Sequence, residues 1–416
     1  MTSDATPDPY ADPIAFGQRM QMLRTRRGMS RPVVAGLLGM SPSWVKQVET
    51  GQIGMPKLPM VLRIAELLRV RALSDLTGDL SDSVDLFIGP GHSRLPAVRD
   101  AVNVLVADGT RQAPPAARLA ARLAEAWMAR HRAPNHREVL GDLLPGLIRD
   151  AQLAVRQAES ATDRRAAQAV LSEVYSLAQF FVAYQPDSAL LWRVAERGMV
   201  AAQESEDPHA IGVAAWLATQ AHRDMGSNHF DAADALTRDV LAHLDRFLPE
   251  ADDRTTAITG ALQFEAGYTA ARRGARGEAW GWWDKARATA KRLTPGYYHP
   301  ITSFSTAIMG AHAVTVAVEL RAGGESVRQA VDADSTAIPS RPRLARHRIE
   351  EARAYHLDGQ AETALATLER AYKAAPETIR YNGYARRIVL EETESRVPVR
   401  RHRAAALADQ LGLLAA

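Results

Sequence analysis

The 416-residue chain contains no cysteine, which removes disulfides, thiol nucleophiles, Cys-zinc sites and iron–sulfur clusters and suits a reducing compartment. Long apolar runs are missing too. The longest nearly apolar stretch, residues 307–320, is interrupted by His312 and Glu319 and is too short to span a bilayer. Residues 1–13 are rich in Asp and Pro and lack the basic-then-apolar order of a secretory signal. They read as a disordered N-terminus of a cytoplasmic protein without a membrane partner. Phosphate loops, G-x-G-x-x-G, H-E-x-x-H and G-x-S-x-G are all absent, and His131/His136 and His347/His356 lack zinc spacing. Neither an enzyme nor a cofactor is expected. His312, on an all-round apolar helix, reads as a satisfied core histidine, and Glu391, Glu392 and Glu394 as a charged helix face.

What is present is uneven. Net charge is +3, but residues 14–71 hold ten Lys/Arg against Glu49 and Glu66. The rest of the chain is near neutral. A basic head of this size usually meets a polyanion, nucleic acid first. With 46% apolar and 24% charged residues, the remainder is long enough for a sizeable core. The boundaries read from composition are a head at 14–78, a linker with connecting helices at 79–143, and a body at 144–416. The class is all-α.

Five helices can be placed in the head. The first runs 14–27 and stops at Gly28. The second is capped by Ser30 and ends at Leu38-Gly39. The third starts with Ser41 as cap and Pro42 at its first position, and it reaches Thr50-Gly51. A fourth covers 59–70 and a short turn 73–76. Two helices joined at Gly39-Met40-Ser41 have helix-turn-helix spacing, and Phe16, Leu23, Val34, Ala35, Leu38, Met40, Val45, Val48, Ile64 and Leu67 form the candidate core.

The run Met29-Ser30-Arg31, Val34-Ala35, Gly39-Met40-Ser41, Ser43, Val45, Val48-Glu49 and Gly51 resembles the Cro/phage-repressor (XRE-type) helix-turn-helix domain over about 60 residues. The resemblance implies that the third helix enters the major groove of double-stranded DNA. Pro42, Ser43, Lys46 and Gln47 then hold the positions that face base edges, since Gln can bond adenine and Lys can reach guanine. Trp44 is either core or phosphate-facing. Arg31 takes the place of a phosphate-bonding Gln, and Thr50, Gln52 and Lys57 follow the recognition helix as phosphate contacts. Arg24 and Glu49 match a buried ion pair of that family.

Beyond Pro145 good helix formers dominate, broken at Gly, Pro, Asp and Asn clusters into helical hairpins. Gly267, Gly274, Ala279, Trp283 and Ala286 have tetratricopeptide (TPR) spacing, as do Ala352, Tyr355, Gly359, Ala364, Leu368, Ala371 and Pro376. Small residues let paired helices touch while a large one plugs the gap. Trp283 takes the plug position, and Trp280 and Trp282 either pack neighbouring repeats, the commoner role, or form a ligand wall. The expected architecture is therefore a five-helix head followed by a TPR-like antiparallel helical-hairpin solenoid. This order of domains is similar to the peptide-sensing Rgg/PlcR-type regulators, which implies a transcriptional regulator that dimerises through the body, binds an inverted-repeat operator and senses a peptide or small-molecule effector. TPR register places Trp216, Gln220, Arg223, Phe264, Tyr268, Arg353 and His356 on the groove side. The alternative is an adaptor whose repeats dock a partner protein and whose head only localises or dimerises it. The polar residues kept at Arg31, Lys46 and Gln47 favour the regulator.

Overall fold

A computed structural model describes residues 13–68, 70, 74–77, 91–104, 111–225 and 229–413. Residues 1–12 of the disordered N-terminus expected at 1–13, and residues 79–90 of the linker region expected at 79–143, lie outside them. The chain forms two compact units, Met1–Pro90 and Gly91–Ala416. Every element among the described residues is helical, and no described helix is long and apolar enough to cross a membrane.

The first unit comprises α1 (Pro13–Arg26), α2 (Arg31–Leu38), α3 (Pro42–Glu49), α4 (Leu58–Leu67) and α5 (Ser74–Thr77), within three residues of the expected boundaries at every end. The Ser30 and Ser41 side chains accept from the N–H groups of Val33 and Trp44, satisfying donors that a helix start leaves open. Gly39 ends α2 at φ +68°, a backbone region that costs a side chain about 1–2 kcal/mol, and this fixes the turn before α3. Phe16, Met20, Val34, Leu38, Val45, Val48 and Ile64 form its core. Gly17 serves close approach instead. A Cβ there would sit 2.2 Å from the Val48 carbonyl oxygen, so α1 crosses α3 at backbone contact.

The second unit begins with α6 (Leu95–Asn103), α7 (Ala116–Arg132), α8 (His136–Arg156), α9 (Ala161–Val182) and α10 (Ser188–Ser205). It continues through α11 (Pro208–Asp224), α12 (Phe230–Leu244), α13 (Asp253–Arg273), α14 (Arg276–Ala290), α15 (Met309–Glu319) and α16 (Gly323–Asp332). Last come α17 (Arg341–Leu357), α18 (Ala361–Ala374), α19 (Pro376–Arg380), α20 (Gly383–Thr393) and α21 (Pro398–Gln410). Consecutive helices pair as hairpins, and α9, α11, α13, α15 and α17 stack as the inner row. A Cβ on Gly267 would meet the Ala279 carbonyl and Trp282 Cβ, each at 3.1 Å, so the side chain beside this glycine is Trp282 and not Trp283, the expected plug.

Two expectations change. Residues 91–104 and 111–143 are not a connector, because Leu95, Val98, Val102, Leu119, Leu123 and Trp127 belong to the main core of the second unit. Pro145 opens nothing: α8 runs through it. The repeats are irregular, their inner helices starting at Ala161, Pro208, Asp253, Met309 and Arg341 and running from 11 residues in α15 to 22 in α9.

The row of hairpins closes on itself. Glu377, at the start of α19, accepts from the backbone N–H of Arg137 at 2.5 Å and of Glu138 at 3.3 Å. Asn135 makes no side-chain cap, so the open donors at the start of α8 are satisfied by a carboxylate from the far end of the unit. His131 on α7 adds to the closure, bonding the Ser340 hydroxyl at 2.9 Å and the Pro300 carbonyl at 2.7 Å. Arg346 of α17 donates to the Tyr184 hydroxyl at 2.8 Å.

Several histidines of this unit are held neutral. Burial, reinforced by Arg130, pulls His131 down to about 4, and burial with Arg254 nearby does the same for His209. Burial first, then neighbouring cationic groups, also lowers His136, His299 and His312. In the unfolded chain each takes a proton near pH 6.5, so stability is complete above that pH and lost as pH falls toward 4. Thermal melts of the full chain should therefore show a falling midpoint between pH 7 and pH 4.5. A midpoint flat across that window contradicts the buried neutral histidines.

Candidate functional site

Two surfaces were expected to carry function, and each can be built from its residues. In the first unit the frame is a buried carboxylate. Glu49, 1% exposed at the end of α3, receives a bidentate fork from Arg24, which also donates to the Met29 carbonyl at 2.7 Å. Arg31 of α2 donates to its second oxygen at 2.7 Å. One carboxylate thus ties α1, α2 and α3 together. Val45, Val48 and Glu49 face inward, and a helix of this pitch then sends Ser43, Lys46, Gln47 and Thr50 to the opposite side. Ser43, Lys46 and Thr50 are exposed and Gln47 is half-buried. Pro42, Gln52 and Lys57 are exposed beside them.

Trp44, for which the sequence leaves core and phosphate-facing positions both open, is half-buried and packs on the core of the first unit. Two residues differ from the simplest expectation. Arg31 is braced by Glu49, so its guanidinium is held in place rather than free. The Thr50 hydroxyl points its one proton at the Lys46 and Gln47 carbonyls, 2.9 and 3.3 Å away, and a phosphate contact would require it to turn.

In the second unit a cavity of about 170 Å³ opens among the inner helices. Five of the seven groove residues read from the repeat register line it: Trp216, Gln220, Arg223, Phe264 and Tyr268. Arg353 and His356 do not. They sit farther along α17, where Arg353 pairs with Glu319 and Glu350 at 2.8 and 2.6 Å and His356 meets Glu391 at 2.9 Å. The register holds for α11 and α13 and fails at α17, where a carboxylate cluster captures the side chains.

Arg223 is buried against Glu265 and lies 3.9 Å above the Tyr268 ring. Burial opposes its charge, but Glu265 holds the guanidinium above its ordinary value. Burial and Glu319 push the Tyr268 phenol well up, and its hydroxyl faces Glu319 at 3.4 Å. His312 is buried and stacks on Phe264 at 3.6 Å. It is not a satisfied core histidine, since Nδ1 has no partner and the ring lines the cavity. The tryptophan cluster of α14 stays outside the cavity. Trp283 is half-buried and donates to the Met309 carbonyl at 3.1 Å, joining its hairpin to the next, while Trp282 is stacked by Lys285. Sequence reasoning missed Arg130, Arg137, Phe180, Arg343 and Arg346. The first two fall in the supposed connector, and arginine on a helix usually signals a solvated face.

The first unit has a helix-turn-helix fold, and it is followed by a unit of paired, stacked helices. Residues 15–75 match the helix-turn-helix domain family. No curated protein matches the chain. Among solved structures the chain is similar to Bacillus thuringiensis PlcR in complex with the peptide PapR7 and DNA, at 11% identity and a TM-score of 0.27, over 85% of this chain and 99% of that one.

Glu49→Ala should destabilise the first unit by about 3–5 kcal/mol, because it strands Arg24 without its partner. Arg31→Ala should cost about 1 kcal/mol or less, as that side chain is one-third exposed. Denaturant unfolding of the two variants checks the order, and an equal loss in both contradicts it.

Proposed function

We propose that the protein is a cytoplasmic DNA-binding transcriptional regulator whose helical-repeat unit dimerises and senses an effector. In this reading α3 enters the major groove. Lys46 and Gln47 read base edges, with Pro42 and Ser43 at the leading end and Trp44 buttressing the helix from below. Arg31, Gln52, Lys57 and a turned Thr50 hold phosphates. The single observation that carries the reading is the Glu49 frame. It holds α2 and α3 in fixed register while Ser43, Lys46 and Gln47 remain turned away from the core. Preorganised polar groups on an exposed helix serve base readout, whereas a domain kept only for docking needs none of them.

The effector's place is the cavity of the second unit, with Trp216, Phe264 and Tyr268 as apolar wall and Gln220 and Arg223 as polar groups. Arg353 braces that wall through Glu319, which faces the Tyr268 hydroxyl, and His356 takes no part in it. A ligand that favours one arrangement of the unit over another shifts the regulator's equilibrium by its differential affinity, and by nothing else.

DNA fragments selected by the full chain from a random pool provide the test. Affinity should fall with salt at a log–log slope of about −0.9 per phosphate neutralised. Gln47→Ala should cost about 1–3 kcal/mol on selected fragments only, and Arg31→Ala should weaken all DNA and flatten the slope. Wild-type affinity in both variants would sink the assignment.

One head contacts few base pairs, so selection of a genomic site calls for two. The chain is expected to be a homodimer on an inverted repeat with half-sites about one helical turn apart. Light scattering at micromolar concentration, with and without the selected DNA, should give twice the chain mass. The mass of one chain under both conditions rules the dimer out.

A further inference from the structure

The cavity of the second unit holds more positive charge than its carboxylates answer. Arg223 is paired with Glu265, and Arg346 with Glu350 at 3.0 Å. Glu350 is engaged by Arg353 as well. Glu265 and Glu350 therefore act on Arg343 only from a distance, and Arg343 makes no ion pair or hydrogen bond among the described residues. Among the described residues Arg130 also lacks an ion pair, its one side-chain hydrogen bond running to His131 Nδ1 at 3.4 Å. It lies over the Phe180 ring at 3.9 Å and has no carboxylate within ion-pair distance among the described residues. Burial, then repulsion from Arg137 and Arg343, pulls its guanidinium down to about 9. The Nε donors of Arg130, Arg137 and Arg343 are buried without partners, and so is the Thr378 hydroxyl. Arg137 itself is 5% exposed. All four residues line the cavity.

Arg130 and Arg343 are half-buried; a cation withdrawn from water with no carboxylate to answer it is costly for a fold, and a second beside it adds repulsion. Natural sites keep such a cluster where something bound supplies the opposite charge. The walls limit what that can be. Closure of α7 and α8 onto α17 and α19 turns a groove into a chamber, and its volume suits one compact molecule rather than an extended chain.

We propose that the cavity binds a compact organic anion, a cyclic apolar body bearing one carboxylate or phosphate. The anionic group is held by Arg130, Arg137 and Arg343, and the body lies against Phe180, Trp216 and Phe264. The anion then bridges α7, α8 and α17, the helices that close the unit, so binding tightens the closure. This names the ligand class for the sensing role proposed above, on which only its regulatory meaning rests.

The test uses the full chain with phenylacetate, phenyl phosphate and neutral phenylacetamide at millimolar concentration, read by calorimetry and thermal melting. At least one anion should bind and raise the melting midpoint, and the amide should do neither. Binding by phenylacetate alone marks a carboxylic acid, and by phenyl phosphate alone a phosphate ester. Arg343→Met and Arg130→Met should each weaken anion binding at least tenfold. Without ligand these variants should melt close to wild type, because the charge they remove has no carboxylate partner and methionine keeps the apolar stem. The proposal is overturned if neither anion binds, if the amide binds as well as the anions, or if both variants melt well below wild type. An anion that binds through these arginines yet leaves DNA affinity unchanged contradicts the sensing role and not the site.

Discussion

A carboxylate cannot stay charged inside a protein without donors around it, and this chain meets that constraint almost entirely with arginine. Only five of its 51 basic residues are lysine. Glu49 is forked by Arg24 and braced by Arg31. In the second unit Glu265 takes Arg223, Glu319 takes Arg353, and Glu350 takes Arg346 and Arg353. The planar guanidinium is suited to this because its fixed fork satisfies both carboxylate oxygens at little further loss of freedom. The pairs of Glu49, Glu265 and Glu319 span elements that are distant in sequence, so they fix how helices sit against one another as well as neutralising charge. Where the pairing stops, at Arg130 and Arg343, the interior opens into a cavity.

Glu377 follows the same constraint by another route. Its carboxylate is answered by backbone N–H groups at the start of α8, where the helix dipole adds to the attraction. A string of hairpins stacked in one direction would leave the start of α8 open to water. Capping that start from α19 joins an early helix of the unit to a late one and narrows the space between them. The chamber is thus a consequence of closure, and closure depends on a contact between residues more than two hundred positions apart.

That separation explains what the sequence reveals and what it hides. The head is legible nearly to the residue, because its signals are local: Ser30 and Ser41 cap the helices that follow them, Gly39 turns the chain, and Val45 and Val48 recur at helical spacing. Even so, Gly17 gives no local sign that α1 crosses α3 at backbone contact. In the second unit, hairpin breaks are legible for the same reason, and the repeat register correctly gathers Trp216, Arg223, Phe264 and Tyr268. It fails for Arg353 and His356 because α17 answers to Glu319, Glu350 and Glu391. Arg130 and Arg137 are invisible in advance: an arginine in a poorly periodic stretch looks solvated until the distant helix that covers it is known.

We propose that α3 reads base edges in the major groove from a head locked by Glu49. Methylation interference probes this contact, because dimethyl sulfate marks the guanine N7 that a major-groove helix must approach. On fragments selected by the full chain, modification at a few guanines should abolish binding. These should fall in two clusters about one helical turn apart on the same face of the duplex. Binding that tolerates N7 methylation throughout the selected fragment would contradict the account.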